Sequence, residues 1–317
     1  MRQPSRQKMK KNILFILAVC FAILFSACHK EGRYNPKKKI SKIYTTFYDD
    51  ENRLDYGVRQ LSEVGTWNKN NTLDKIEWFV FYYHGGNDAF RTTSFTYDKK
   101  RRIKTITQVE TECSPAYSEY FYKGKYLSEI KISAPGDGYN ALYKITHKNG
   151  KISEVAVTEE YDESYKGQGH PNVFPLQFVL SEEVSKDIEK SIEKQCLENK
   201  SKNIYTYTFT YTLTWENDNV TKVESSIYDN GEIFKYQYDN HLNPYCDFLD
   251  LDLWGYGCAE GLSKNNIIRS ENIGHDDAVT TYDYTYDGDY PISYTYSKIS
   301  SLGWNLRYGK VEYEYLK

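Results

Sequence analysis

The chain has 317 residues, 41 of them Lys or Arg and 44 Asp or Glu, and a formal net charge of −3 leaves no basic excess to attract nucleic acid phosphates. With 32 Tyr against 2 Met, any core must be built largely from phenol rings, apolar along the body and polar at the tip. No P-loop, no dinucleotide-binding glycine motif and no GxSxG elbow is present, so no local motif names a reaction or a cofactor.

Arg2, Arg6, Lys8, Lys10 and Lys11 precede an apolar run over 13–25, and Ser26-Ala27 lead into Cys28. A basic region, an apolar stretch too short to span a bilayer comfortably and a small-residue cleavage site predict an export signal over 1–27. Phe25-Ser26-Ala27-Cys28 resembles a bacterial lipobox, in which the cysteine thiol takes a diacylglycerol and becomes the first mature residue. Palmitate-like chains anchor firmly, at roughly 0.8 kcal/mol per buried methylene, so the protein would be tethered to a membrane and not inserted in it. Cleavage leaves 290 residues and removes five basic and no acidic side chains, taking the formal charge to −8. Residues 28–40, with Gly32, Pro36 and Lys37-Lys38-Lys39, read as a flexible tether whose lysines could rest on anionic head groups. A single β-rich domain is expected over 41–317.

From there the hydrophobic period is two. Strands are expected at 43–48, 76–83, 92–97, 103–109, 118–122, 128–133, 142–147 and 152–158, then at 205–215, 220–227, 234–238, 281–286, 292–297 and 311–315. The clearest is Tyr205, Tyr207, Phe209, Tyr211, Leu213 and Trp215 interleaved with threonines, which puts rings on one face and hydroxyls on the other. Tyr282, Tyr284 and Tyr286 repeat it. Five strands end in Tyr-Asp, at Tyr48-Asp49, Tyr97-Asp98, Tyr228-Asp229, Tyr238-Asp239 and Tyr286-Asp287. Asp accepts backbone hydrogen bonds in tight turns, so the motif marks a strand, turn, strand unit.

One segment departs from this period. Val184, Ile188, Ile192 and Cys196 follow one another at i+4 spacing behind Ser181, Glu182 and Glu183, predicting one short helix over 181–198, and 161–175 reads as a surface loop. Once Cys20 leaves with the signal and Cys28 is acylated, Cys113, Cys196, Cys246 and Cys258 allow three pairings; a Cys246–Cys258 bridge is favoured because the two flank a Trp254-Gly255-Tyr256-Gly257 loop with no other staple. No CxxC or HxxxH accompanies them, so no metal is expected. His275-Asp276-Asp277, Asp247 with Asp250 and Asp252, Asp287 with Asp289, and His84-Gly85-Gly86 read as polar turns.

Tyr236-Gln237-Tyr238-Asp239 with Asn243-Pro244, then Leu262-Ser263-Lys264-Asn265-Asn266, then Tyr284-Thr285-Tyr286-Asp287 with Asp289-Tyr290-Pro291, resembles an uncharacterised lipoprotein family of Bacteroides-type bacteria, a domain of unknown function with a porin-like fold. The resemblance runs over about 92–317. It implies an antiparallel up-and-down meander, barrel-like, on a lipid-anchored envelope protein, and assigns no catalytic residue. A looser similarity is to the Tyr-Asp (YD/Rhs-type) repeats of bacterial shell toxins.

The face opposite the rings carries Lys235, Asp239, Asp283, Glu312 and Glu314, which a lipid-facing barrel could not present. The expected fold is therefore all-β, porin-like but soluble, with tyrosines turned inward. Three functions fit an outer-membrane lipoprotein of this kind, on either its periplasmic or its surface side. The first is a non-enzymatic ligand-binding or scaffolding module, in which Tyr205, Tyr207, Phe209, Tyr211, Trp215, Tyr282, Tyr284 and Tyr286 stack on a glycan or an amphipathic small molecule. The others are an envelope hydrolase with paired carboxylates, and a structural module docking an envelope protein partner.

Overall fold

In the computed structural model, described over residues 31–48, 57–79, 90–110, 115–162, 204–226, 231–248, 257–274, 277–299 and 305–317, the alternating runs form sixteen strands of one closed antiparallel barrel. They are β1 (Ile40–Phe47), β2 (Gln60–Trp67), β3 (Leu73–Trp78), β4 (Arg91–Tyr97), β5 (Ile103–Glu110), β6 (Ala116–Lys123), β7 (Tyr126–Ala134), β8 (Tyr139–Lys148), β9 (Lys151–Asp162), β10 (Ile204–Glu216), β11 (Asn219–Ser225), β12 (Glu232–Leu242), β13 (Asn265–Ile273), β14 (Val279–Asp287), β15 (Tyr290–Ile299) and β16 (Asn305–Tyr315). Each strand pairs with its sequence neighbours, and β1 closes the sheet on β16 from Ile40 opposite Tyr315 to Phe47 opposite Gly309. The up-and-down meander expected from the alternation is the observed fold. A six-residue helix, α1 (Gly257–Leu262), lies in the β12–β13 connection. The helix expected over 181–198 lies outside the described residues. Tyr161, expected in a surface loop, is the buried inward-facing end of β9.

Alternation sets the two faces. Phe209, Tyr211 and Leu213 are buried while Thr208, Thr212 and Thr214 are exposed, so rings point in and hydroxyls out. At mid-strand the outer wall carries ion pairs two residues apart: Lys75 with Glu77 at 2.9 Å, Glu129 with Lys131 at 3.5 Å, Lys222 with Glu224 at 2.9 Å and Arg269 with Glu271 at 2.8 Å. Such pairs add little stability in water, but hydrocarbon would make them costly.

The two ends of the barrel differ. At one end six hairpins turn tightly and β12 reaches β13 through the longer connection that holds α1, and each of these seven pairs has a register shift just before an inward aromatic: Trp67, Tyr97, Tyr122, His147, Trp215, Tyr238 and Tyr286. The bulge aims the ring back across the preceding strand. Trp67 donates to the Ile40 carbonyl at 2.8 Å, Tyr97 to Leu73 at 2.6 Å, Tyr122 to Ile103 at 2.8 Å, Trp215 to Ile152 at 2.6 Å and Tyr238 to Val220 at 2.5 Å; at the closure Tyr315 donates to Pro291 at 2.6 Å. Each acceptor is the first or second residue of the strand before. At the two remaining positions a carboxylate completes the link. Glu31 takes His147 Nε2 at 2.8 Å and the Leu127 amide at 2.6 Å, and Asp239 takes the Tyr286 hydroxyl and the Asn266 amide.

Glu31 belongs to the expected tether, which requires correction over its described part. Residues 31–39 pack into the tight-turn end: Tyr34 is 4% exposed, donates to the Pro244 carbonyl at 3.0 Å and sits 4.8 Å from the Phe248 ring. Gly32 has φ of +75°, and a Cβ there would lie 2.0 Å from the Tyr122 hydroxyl, so only glycine lets the segment pass. Lys38 pairs with Asp287 at 2.8 Å, and Lys39 donates to Asn71 at 2.7 Å. Burying Tyr34 and satisfying Glu31 outweighs the freedom that glycine and lysine would give a loose linker.

Two outcomes test this architecture. Phe209→Asp deletes a buried ring and strands a charge, costing at least about 3 kcal/mol, whereas Thr212→Lys, exposed between Glu154 and Glu224 on the flanking strands, stays within about 1 kcal/mol. Denaturant midpoints of the two variants measure the contrast. Tyr97→Phe keeps the ring and removes only the donor to Leu73, so its loss of about 1–2 kcal/mol reports the link alone.

Candidate ligand-binding site

Side chains from most of the sheet fill the tight-turn end. Leu73, Ile103, Leu127, Ile152, Val220 and Val223, each at most 3% exposed, meet Tyr34 and the Phe248 ring. Toward the other end the interior becomes polar. Arg91 forks onto Glu110 at 2.7 and 2.9 Å, Glu159 accepts from Tyr161 at 2.7 Å and Tyr139 at 3.1 Å, and Gln60 Oε1, Gln108 Oε1 and Asn272 Oδ1 are buried without a partner among the described residues.

Between these regions β14, β15 and β16 present a continuous wall of rings. Tyr282 and Tyr284 lie directly opposite Tyr296 and Tyr294 across the β14–β15 pair. Tyr294 is the hub, with centroids 5.8 Å from Tyr282, 5.0 Å from Tyr284, 6.3 Å from Tyr296 and 6.1 Å from Tyr313. Tyr245, from the β12–β13 connection, stands edge-on to Tyr313 at 6.2 Å. Gly309 makes room for Tyr296, since a Cβ there would fall 2.7 Å from the ring. Tyr282, Tyr284, Tyr294, Tyr296 and Tyr245 all face inward, yet each keeps part of its surface accessible, so they border an internal space.

Two carboxyls act electrostatically on these rings. Glu260 on α1 is partly buried, and desolvation pushes it from the ordinary 4.5 up to about 7. Its charge acts on Tyr282, Tyr284, Tyr294, Tyr313 and Tyr245, whose phenols burial already holds well above their usual range. Glu63 of β2 acts on Tyr34, Tyr245 and Tyr294. Glu159 also rises to about 7 through burial, offset in part by its two tyrosine donors.

The residues singled out from the sequence divide among three roles. Phe209 and Tyr211 are core, Tyr205 and Tyr207 pack against it, and Trp215 is an end link under Lys151. Tyr282 and Tyr284 belong to the wall, and Tyr286 stacks on His241 at 3.8 Å. β10 and β14 are separated by three strands, so these residues form no single face. Tyr245, Tyr294, Tyr296, Tyr313, Glu63 and Glu260 were not singled out. Alternate tyrosines on three successive strands are the signal that could have found most of them; nothing in Cys258-Ala259-Glu260-Gly261-Leu262 marks Glu260 as interior.

The expected Cys246–Cys258 bridge also needs correction, because Cys246 is a free thiol whose burial pushes its pKa up to about 12. Asn243 is the staple instead. It donates to the Glu260 carbonyl at 2.6 Å and the Ser263 carbonyl at 3.0 Å, and accepts from the Tyr245 amide at 2.9 Å. The side chain of Cys258, and all of Cys28, Cys113 and Cys196, lie outside the described residues.

No protein-family model matches the chain, and no curated protein matches it in sequence. Among solved structures it is similar to a porin-like protein from Bacteroides uniformis, with TM-score 0.51 and 12% identity over 90% of this chain and 100% of the other. A porin-like protein from Bacteroides vulgatus aligns at TM-score 0.39 and 8% identity over 88% and 99% of the two chains. The first likeness shows the fold alone, a porin-like barrel.

The raised carboxyls predict how stability varies with pH. With folded pKa values near 7 against 4.5 unfolded, Glu159 and Glu260 bind more protons folded than unfolded across that window, so stability falls as pH rises through it. Each contributes a slope of up to about 1.4 kcal/mol per pH unit. Asp98 and Asp287, whose carboxyls are held below the ordinary 3.8, act only at lower pH. Urea midpoints between pH 4.5 and 7 should fall for the wild type and fall less steeply for Glu260→Gln.

Proposed function

We propose that the protein is a lipid-anchored envelope module that binds a small ligand inside its barrel without transforming it. The observation that carries this reading is the ring wall. Tyrosines from adjacent strands face inward around an internal space and keep accessible surface there, whereas in a filled core they would close on one another. The water-facing outer wall argues against a lipid-embedded pore, and the tight-turn end is closed by residues 31–39. Acylation at Cys28, three residues before the docked Glu31, would put that closed end against the membrane and direct the opposite end away from it.

A hydrolase is the second reading, favoured by one observation: Glu260 sits in the range of a general acid, with Glu63 acting on the same rings. Turnover of aryl glycosides that disappears in Glu260→Gln would establish it.

Cys28→Ala should move the signal-cleaved protein from the membrane fraction to the soluble fraction, because no described segment is a long apolar helix and the described outer wall carries ion pairs. Retention in the membrane after cleavage would refute the anchor. Thermal shifts across a panel of glycans, amphiphiles and small metabolites test the binding reading separately.

A further inference from the structure

We infer that the interior between β2 and β5, at the end opposite the tight turns, takes the ring of a neutral sugar, with one ring face against Trp78 and hydroxyls donated to the Gln108 and Gln60 amide oxygens. This deepens the binding reading above and rests on it, naming a ligand class and a set of residues outside the ring wall.

Four successive strands bring these groups together. Trp78, the last residue of β3, lies directly opposite Arg91, the first of β4, and Arg91 in turn lies opposite Glu110, the last of β5. Two residues further in, Thr93 lies opposite Gln108. Alternation turns this set inward: Gln108 is 8% exposed, whereas Val109, between Gln108 and Glu110, is 49% exposed on the outer face. Gln60 joins from the start of β2, on the same face as Thr45 and the buried Val311 across β1. Trp78 Nε1 donates to the buried Thr93 hydroxyl at 3.2 Å, which fixes the indole, and Arg91 is fixed by its fork on Glu110 at 2.7 and 2.9 Å.

What these side chains leave unspent defines the guest. The Gln108 and Gln60 amide oxygens are buried with no donor among the described residues. Elsewhere the same barrel satisfies a buried acceptor from within, giving Glu159 two tyrosine donors at 2.7 and 3.1 Å. A buried acceptor without a donor is a net cost to the fold, but one that meets a guest's hydroxyl discriminates strongly for that hydroxyl. Both Arg91 bonds to Glu110 end on Oε2, so among the described residues Oε1 also remains to accept. Three acceptors call for a guest rich in hydroxyl donors. Charge sets its neutrality, since a cation would meet the Arg91 guanidinium and an anion the Glu110 carboxylate.

Trp78 supplies the apolar half of the recognition. It packs against the core yet keeps part of its surface accessible, and an indole face covers the C–H side of a sugar ring while the hydroxyls point to the rim, where the amides stand. An aliphatic or purely aromatic guest would suit the tyrosine wall on β14–β16 but leave the Gln108 and Gln60 oxygens unpartnered. The orphaned amide also separates a ligand group from a structural one. Leu has nearly the volume of Gln without its polar atoms, so Gln108→Leu removes a buried unpartnered acceptor and should leave the protein at least as stable while binding is lost.

The test is saturation-transfer NMR on the full chain in lauryldimethylamine oxide micelles, which carry no sugar, with protein-free micelles as the blank. The probes are the methyl pyranosides of glucose, galactose, mannose and N-acetylglucosamine, and cyclohexanol, which keeps the ring with a single hydroxyl. At least one pyranoside should receive saturation, strongest on the C–H protons of one ring face, and bind at least about tenfold more tightly than cyclohexanol. Gln108→Leu should weaken that sugar at least about tenfold without lowering the urea midpoint, and Trp78→Leu should abolish the one-sided pattern. Should Trp78→Leu fold poorly, the wild-type pattern and Gln108→Leu decide the matter. Cyclohexanol binding as tightly as every pyranoside overturns the sugar while leaving the ligand-binding reading intact. Silence from all four pyranosides, binding unchanged in Gln108→Leu, or a Gln108→Leu protein less stable than the wild type overturns the inference outright.

Discussion

At the tight-turn end of this barrel, the polar tip of an aromatic side chain reaches back to the start of the preceding strand, and the same contact recurs hairpin after hairpin around the rim. Sixteen strands closed only by backbone pairing enclose a wide lumen, as porins show. Here the links from Trp67, Tyr97, Tyr122, Trp215, Tyr238 and Tyr315 draw neighbouring hairpins together from the inside. The hydrogen bond is also what makes tyrosine acceptable as a core residue, because its hydroxyl is satisfied as its ring is buried. Where the direct link is absent, Glu31 and Asp239 restore it through a carboxylate and a backbone amide. Glu31 thereby recruits the N-terminal segment into the rim.

That rim gives the molecule its polarity. One end is sealed by aliphatic side chains, Tyr34 and Phe248, and the other carries buried polar groups such as the Arg91–Glu110 fork. Between them the wall of Tyr282, Tyr284, Tyr294, Tyr296 and Tyr313 borders an internal space. The porin-like barrel thus carries charged pairs on its outer face and aromatic rings on its inner one.

Much of this was legible in the sequence, and the reasons for the rest are physical. The alternation over 205–215 gave a strand with the correct faces because one face is apolar and the other is threonine. β2 escaped notice because all of its residues are partly exposed, and β13 because its inward positions include Ser270 and Asn272, which a barrel interior can satisfy and a periodicity search cannot recognise. The Tyr-Asp motif ends strands at Tyr97-Asp98 and Tyr286-Asp287, whereas Tyr238-Asp239 lies inside β12 and Asp49 and Tyr228-Asp229 lie outside the described residues; its two residues act separately. Tyr97 links strands while Asp98 caps the turn through the Lys100 and Arg102 amides, whereas Asp239 serves the rim and Asp287 pairs with Lys38. The expected tether failed because the fate of Tyr34 depends on Pro244 and Phe248, more than two hundred residues away. Glu260 could not be found at all, since only closure of the barrel makes it interior.

The most direct measurement is the labelling rate of single cysteines placed along β14, in membranes and without detergent. Thr281→Cys, Asp283→Cys and Thr285→Cys should react rapidly with a charged, membrane-impermeant maleimide, because these positions face water. Tyr282→Cys and Tyr284→Cys should react with a small cationic methanethiosulfonate and resist a bulky reagent, as positions on an enclosed but accessible space must. Protection of the outer positions by lipid, or equal rates on both faces with the bulky reagent, would contradict a water-facing barrel built around an interior binding space.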